Sequence, residues 1–284
     1  MPTSIERERA GQADTSGTMN FLGEMNEFPV FYARQLALNE KLNLEPHEVD
    51  IKDYRGSPEV PTLDRHGFAL FDHPYNINSE IDADKIMPTY RPVVDELMRK
   101  VTGAPKIVHT RPVLRWNGER PASAPFNSNP ARFVHTDYNT ESFYGFAHKH
   151  LEADPDKEHW LAGRIVAFNI WRVLTPPPQD MPLAVMDRRT TNPSQQVNAI
   201  SYVDEPARPF SFGSTLWRYD EGQRWGYFSD MTPDEALVFV SWDSDSHHRA
   251  GTAHSSFDNA LCPPGVKPRS SMEHRVFCYW GREA

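Results

Sequence analysis

Apolar positions along the chain follow two spacings. Over residues 82–102, Ile86, Tyr90, Val93, Val94, Leu97, Met98 and Val101 return every three or four residues and Gly103 ends the run, which predicts an amphipathic helix. Pro88 lies early enough in it to be tolerated, whereas Pro92 predicts a break or kink. A shorter helix is expected over 140–151, capped by Asn139 or Thr140. The other apolar residues alternate with polar ones or form short unbroken runs, and both patterns predict strands. These fall at 49–51, 67–71, 106–114, 164–172, 183–186, 226–228, 236–242 and 269–280. From residue 106 onward, strands separated by turns dominate. The pattern predicts a mainly β protein with flanking helices. Its core is expected to be an antiparallel double-sheet barrel of the jelly-roll or cupin-like type, a double-stranded β-helix. Residues 1–18 are polar and are expected to be a flexible N-terminal tail. The remainder, 19–284, is expected to be one domain, with 19–105 as an α/β flank and 106–284 as the core.

Composition narrows the function classes. A formal net charge of −9 argues against a nucleic-acid partner. No apolar run approaches the roughly 18 residues needed to span a bilayer, so no membrane partner is expected. The first residues, MPTSIERERAGQADTSG, lack the apolar core of a secretory signal. Cys262 and Cys278 match neither a disulfide framework nor a zinc motif and are read as free thiols. A cytoplasmic location follows as the expectation. Residues 19–80 are the expected surface for a homodimer, should one form.

The stretch Phe133-Val134-His135-Thr136-Asp137 carries the chemistry. On a strand, side chains two residues apart share a face, so His135 and Asp137 would converge on one ion. A second histidine would complete the two-histidine, one-carboxylate set of non-haem Fe(II) oxygenases. His254 is the best placed, after the small residues of 251–253, with His247, His248 and His274 as rivals. Arg269 and Ser271 follow and share a strand face. A guanidinium beside a hydroxyl is a receptor for a carboxylate, because the arginine fork matches its two oxygens. Arg275 has the same parity and is either an ion-pair partner of Glu273 or the anchor itself. A Zn(II) cupin-like hydrolase or isomerase without a cosubstrate, or a metal-free binding protein, would use the same positions.

The ordered set resembles Fe(II)/2-oxoglutarate-dependent oxygenases. More narrowly, it is similar to the hydroxylase/desaturase family of AsaB-type hydroxylases, CmcJ-type proteins and gibberellin desaturases. The resemblance runs from about residue 20 to the C-terminus. Its carriers are Asp64-x-x-Gly67-Phe68, Thr102-Gly103-Ala104, His135-Thr136-Asp137, Asn169-Ile170-Trp171-Arg172, Met231-Thr232-Pro233-Asp234-Glu235-Ala236, Trp242-Asp243-Ser244, Ala253-His254-Ser255-Ser256-Phe257 and Arg269-Ser270-Ser271-Met272-Glu273-x-Arg275. It implies a distorted double-stranded β-helix, with Fe(II) held by His135, Asp137 and His254 and with 2-oxoglutarate and O2 as cosubstrates. The implied reaction abstracts hydrogen from a small organic molecule, plausibly a secondary metabolite, to hydroxylate, desaturate or rearrange it, releasing succinate and CO2.

Other residues have weaker expectations. Asn169 and Trp171 share a strand face, and each serves either the core or the pocket, Asn169 at the cosubstrate and Trp171 at the substrate. His109 and Arg111 share a face and are candidate pocket residues. Trp217, Tyr219, Trp225 and Tyr227 are expected to pack in the core, and His148, His150 and His159 to face solvent.

Overall fold

The apolar runs condense into two facing β-sheets. The computed structural model describes residues 14–33, 36–77, 83–118, 127–203, 209–245 and 251–282. In chain order, the N-terminal part supplies β1 (Thr15–Leu22), β2 (Val30–Tyr32), β3 (Leu44–Asp53), β4 (Phe68–Asp72) and helix α1 (Ala83–Thr102). There follow β5 (Lys106–His109), β6 (Val113–Trp116), β7 (Asn127–Ser128) and β8 (His135–Thr136), then helices α2 (Thr140–His150) and α3 (Lys157–Leu161). The remaining strands are β9 (Ile165–Val173), β10 (Leu183–Met186), β11 (Gln196–Val203), β12 (Phe210–Trp217), β13 (Trp225–Tyr227), β14 (Glu235–Asp243), β15 (His254–Ser256) and β16 (Ser270–Tyr279). The first sheet has the order β1-β3-β13-β10-β15-β8-β12-β11-β2 and the second β4-β14-β9-β16-β6-β7, with β5 also pairing β16. Most pairs are antiparallel, as a double-stranded β-helix requires.

The N-terminal part is not a separate flank. β1 pairs with β3 along its whole length and the pair joins the first sheet through β13, while β4 closes one edge of the second. β1 also starts at Thr15, inside the stretch expected to be a tail, because the backbone of Thr15–Leu22 is held by β3 and Met19 and Phe21 are buried. The rest of that expected tail, 1–13, lies outside the described residues.

Strand alternation divides the side chains of the second sheet between two environments. On β9 and β16, Val166, Phe168, Ile170, Met272, Val276 and Cys278 face outward and pack against Tyr90, Val94 and Met98 of α1. Burying each such side chain contributes about 1.5–3 kcal/mol. The alternate set, including Asn169, Trp171, Glu273 and Arg275, faces the first sheet. Helix α1 runs on through Pro92, so the break that Pro92 allowed does not occur. Pro88 and Pro92 are both exposed, so the Pro88 carbonyl that Pro92 cannot bond is left to water. Asn139 caps α2, its Oδ1 accepting from the Ser142 amide at 2.9 Å. Trp217, Trp225 and Tyr227 pack in the first sheet's core with Met19 and Phe21.

Outside the site, one polar cluster fastens α1 to the second sheet. Arg172 is fully buried. Its Nε donates to Tyr90 Oη at 2.8 Å and its Nη1 to the Pro233 carbonyl at 3.1 Å, and His73 contacts Nη2. Burial and the Arg172 charge hold His73 below its usual pKa, so it stays neutral beside the guanidinium. Tyr90→Phe removes one acceptor of a buried arginine. It is expected to lower stability by about 1–3 kcal/mol, read as a lower denaturation midpoint at unchanged m-value.

Candidate metal centre and substrate cavity

His135 and His254 meet as direct cross-strand partners on the neighbouring antiparallel strands β8 and β15. They stand side by side in one sheet, rather than facing each other from two halves of the barrel. Their ring centroids are 4.3 Å apart. Asp137 lies just past β8 and turns its side chain toward the second sheet. One ligand atom from each of His135, Asp137 and His254 lies within 4.8 Å of the other two, and all three residues are buried.

The donor set suits a divalent metal. His135 Nδ1 is 3.0 Å from the Phe133 carbonyl and His254 Nδ1 is 3.1 Å from the Thr252 carbonyl. A carbonyl can only accept, so both protons sit on Nδ1 and both Nε2 lone pairs are free for a ligand. Burial, then the proximity of His254, pushes His135 down to about 3, and burial lowers His254 as well. Both imidazoles are therefore neutral at physiological pH, the form a metal requires.

Asp137 is held from the opposite sheet. Its Oδ2 accepts from Ser241 Oγ of β14 at 2.6 Å and from Asn169 Nδ2 of β9 at 3.2 Å. Its Oδ1 forms an ion pair of 2.6 Å with Arg275 Nη2 of β16. Burial alone would raise this carboxyl, but Arg275 overcomes it and holds the pKa well below the usual range. Ser241 shares the inward face of Leu237 and Phe239 by alternation along β14, and the β14–β9 register slips beside it, between Val240 and Trp242. Gly251 lies against that slip, and a Cβ there would stand 2.2 Å from the Ser241 carbonyl oxygen.

Arg275 on β16 and Arg269, the residue just before that strand, have the same parity but differ in their partners. Arg275 pairs with Glu273 at 2.8 Å as well as with Asp137, and Glu273 in turn receives Arg115 at 2.8 and 3.0 Å. Burial would raise Glu273, but Arg115 and Arg275 hold it down at about 2. Arg269 is 1% exposed and has no carboxylate partner among the described residues. Its one side-chain hydrogen bond runs from Nη1 to Ser256 Oγ at 3.3 Å, while Nε, Nη2 and the neighbouring Ser271 Oγ have no partner. Trp171 lies beneath the guanidinium, 5.3 Å from its ring centroid. Burial, reinforced by Arg115, lowers Arg269 to about 9, so an incoming anion would find an underneutralised cation. Ser256 is two residues from His254 on β15, which places this receptor beside the metal position.

A cavity of about 590 Å³ opens from His135 and Asp137. Phe133, Tyr138, Phe146, Phe210 and Phe212 line it, together with Arg111. His109 does not border it. His109 is paired with Val276, so its side chain shares the outer face of the sheet, bonding Asp95 at 2.9 Å and stacking on His274. His274 is on that same outer face and is removed as a rival of His254, and His247 and His248 lie outside the described residues. Trp171 is spent on Arg269 rather than on the cavity. His150, expected at the surface, lines the cavity and packs 4.6 Å from Phe277. The apolar residues four and seven positions before it, Phe146 and Phe143, were the available signal that this face of α2 turns inward.

Two imidazoles and a carboxylate at one point of a double-stranded β-helix, beside a buried arginine whose guanidinium has no carboxylate partner among the described residues, are the arrangement a mononuclear metal oxygenase uses. The family profile described as "Oxidoreductase/YMDC permease-like domain" matches residues 19–279. Among the described residues, no helix is long and apolar enough to cross a membrane. The chain is 29% identical to the Fe(II)/2-oxoglutarate-dependent dioxygenase nvfI of Aspergillus novofumigatus, over 84% of this chain and 86% of that one. It is 30% identical to the hydroxylase/desaturase CTB9 of Cercospora beticola, over 83% of this chain and 77% of that one. The solved structure of the iron and alpha-ketoglutarate-dependent endoperoxidase NvfI superposes with a TM-score of 0.78 at 25% identity, covering 95% of this chain and 100% of the other. The chain belongs to the AsaB-like hydroxylase/desaturase family of Fe(II)/2-oxoglutarate-dependent oxygenases.

Ser241→Ala and Asn169→Ala each remove one donor from Asp137. Each is expected to weaken divalent-metal binding by about 10–100-fold, measured by anaerobic titration with Fe(II), with an unchanged circular dichroism spectrum.

Proposed function

We propose that His135, Asp137 and His254 hold Fe(II), and that Arg269 and Ser271 receive the far carboxylate of 2-oxoglutarate. The substrate is a small organic molecule of secondary metabolism, lying in the aromatic cavity. The observation that carries this reading is Arg269. A fully buried guanidinium with two unpartnered donor nitrogens, beside an unpartnered hydroxyl and next to the metal position, fits a dicarboxylic acid that also reaches the metal. A Zn(II) hydrolase or isomerase of the same fold would have no use for that receptor. With Fe(II), 2-oxoglutarate and O2 bound, the centre supplies an oxidant that takes hydrogen from an unactivated C–H bond, with release of succinate and CO2.

The protein's own residues orient and isolate that chemistry. The backbone carbonyls of Phe133 and Thr252 fix the two imidazole tautomers. Ser241 and Asn169 fix the Asp137 carboxylate, and Arg275 balances its charge. Arg275 is engaged by Asp137 and Glu273, which favours Arg269 as the cosubstrate anchor. Trp171 supports the Arg269 plane from below. Aromatic walls keep water from the reacting carbon and let an apolar substrate choose which hydrogen faces the metal. The relatives named as a hydroxylase/desaturase and an endoperoxidase support an outcome, whether hydroxylation, desaturation or rearrangement, that is set by the pose in this cavity. The two unpaired cysteines support a cytoplasmic setting.

His135→Ala, Asp137→Ala and His254→Ala are each expected to abolish iron binding and the visible charge-transfer band of the iron–2-oxoglutarate complex. Arg269→Ala should keep iron and raise the 2-oxoglutarate concentration for half-saturation of that band about 10–100-fold, the worth of a charge-assisted bidentate contact. If Arg269→Ala left that concentration unchanged while Arg275→Ala raised it, the anchor assignment would be wrong. Zinc in the anaerobically purified protein, with no such band on adding iron, would favour the hydrolase or isomerase.

A further inference from the structure

Several polar side chains of the cavity wall are spent inside the protein. Asn39 bonds both backbone polar groups of Tyr32, at 2.7 and 3.0 Å. Thr110 Oγ1 donates to the Arg275 carbonyl at 2.9 Å, and Ser214 Oγ to the Thr136 carbonyl at 2.7 Å. Tyr138 and His150, in the same wall, differ from these. No hydrogen bond joins the Tyr138 hydroxyl, or either ring nitrogen of His150, to a described residue. The Nδ1 atom of His150 is also buried, so it has neither a protein partner nor free access to water. A phenylalanine at 150 would make the same ring contacts without burying a nitrogen that lacks a partner.

The two rings rest on one floor. Phe277 lies two residues past Arg275 on β16 and shares its inward face. Tyr138 meets the Phe277 ring at 5.6 Å and 62°, and His150 meets it at 4.6 Å and 80°, both as edge contacts. Their polar tips are therefore neighbours in the wall, within reach of one molecule. Tyr138 is at the metal end: it follows Asp137 in the chain, and its hydroxyl lies in the field of Arg275, Asp137 and Glu273. His150 is the last residue of α2 and stacks on Phe146 at 6.1 Å. A phenol offers one O–H donor at physiological pH. Burial, then the Lys149 charge, pushes His150 down to about 4, so its imidazole is neutral and offers one N–H donor and one lone pair.

We propose that Tyr138 and His150 together recognise an uncharged, mainly apolar substrate through two oxygen functions. The Tyr138 hydroxyl donates to an oxygen near the metal, and His150 bonds a hydroxyl or carbonyl further out. The aromatic wall takes the carbon skeleton, and the two hydrogen bonds set its direction and hence which carbon faces the metal. Which end faces the metal rests on the function proposed above, whereas the pair of hydrogen-bonding groups stands on the cavity alone.

Two matched probes test it. Naphthalene-2,6-diol and 2,6-dimethylnaphthalene are both uncharged at neutral pH and fluorescent, and they have nearly the same shape. Binding is measured from that fluorescence with Zn(II) and saturating 2-oxoglutarate present, so that the metal and Arg269 positions are filled without turnover. A wall that is only aromatic prefers the dimethyl compound, because methyl groups gain more than hydroxyls on leaving water. The diol is instead expected to bind at least fivefold more tightly. Tyr138→Phe and His150→Phe should each weaken the diol about fivefold, the scale of one neutral hydrogen bond, and leave the dimethyl compound unchanged. Tighter binding of the dimethyl compound to the unaltered protein would overturn the proposal. So would diol binding that ignores either variant, or a variant that weakens both probes equally, which would make that ring a packing element only. Diol preference in a protein that forms no iron–2-oxoglutarate band would uphold the recognition pair while removing the oxygenase reading. A normal band without diol preference would do the reverse.

Discussion

A carboxylate buried between two sheets is the constraint on which the site depends. Removing an ionised Asp from water costs several kcal/mol, even after relaxation, and the cost is recovered only by well-placed partners. Asp137 draws those partners from three strands of the facing sheet: Ser241 on β14, Asn169 on β9 and Arg275 on β16. The compensation then propagates. Arg275 is itself buried and pairs with Glu273, and Glu273 pairs with Arg115, giving charges that alternate in sign across the inner face of the second sheet. The ladder explains why positions that would otherwise be core carry arginines and a glutamate. It also fastens the two sheets together at the point where His135 and His254 supply their lone pairs.

Two arginines six residues apart, with the same parity, show how neighbours decide role. Arg275 lies opposite Asn169 in the sheet and across from Asp137, so its charge is consumed within the protein. Arg269 lies beyond the ladder, over Trp171 and beside Ser256, where no described carboxylate pairs with its guanidinium and Asp180 accepts from its backbone amide instead. Residue type and parity are the same for both. What differs is whether the facing strand brings a carboxylate, and that is a property of the assembled sheets. On the function proposed here, the buried guanidinium with no carboxylate partner among the described residues is the feature that would suit the metal site to a dicarboxylic cosubstrate.

Relatives of this chain carry different reaction names, hydroxylase/desaturase in one case and endoperoxidase in another. In this chain the metal end of the cavity is built from strands and the far end from α2 and β12, with Phe146, Lys149 and His150 on one and Phe210 and Phe212 on the other. Rigid strands keep the ligands aligned, and the elements around them are free to vary with the molecule to be held.

The sequence by itself determined the β-rich class, helix α1, a cap for α2 at Asn139 or Thr140 and the residues whose chemistry matters, because periodicity and local capping are properties of neighbouring residues. Runs rich in apolar residues at 164–172 and 236–242 announced strands, and the spacing of His135, Asp137, His254, Arg269 and Ser271 announced a site. Strands β1, β11 and β12 were not legible, since Thr15-Ser16-Gly17-Thr18 is polar and Gly213 interrupts a mixed run. The tertiary structure alone decided that His135 and His254 are cross-strand neighbours, that Ser241 and Asn169 of the facing sheet meet Asp137, and that His109 faces α1 while His150 faces the cavity. Each of these depends on register between segments distant in the chain. A shift of one residue in such a register sends a side chain to the opposite face, and no local pattern records which register the assembled sheets adopt.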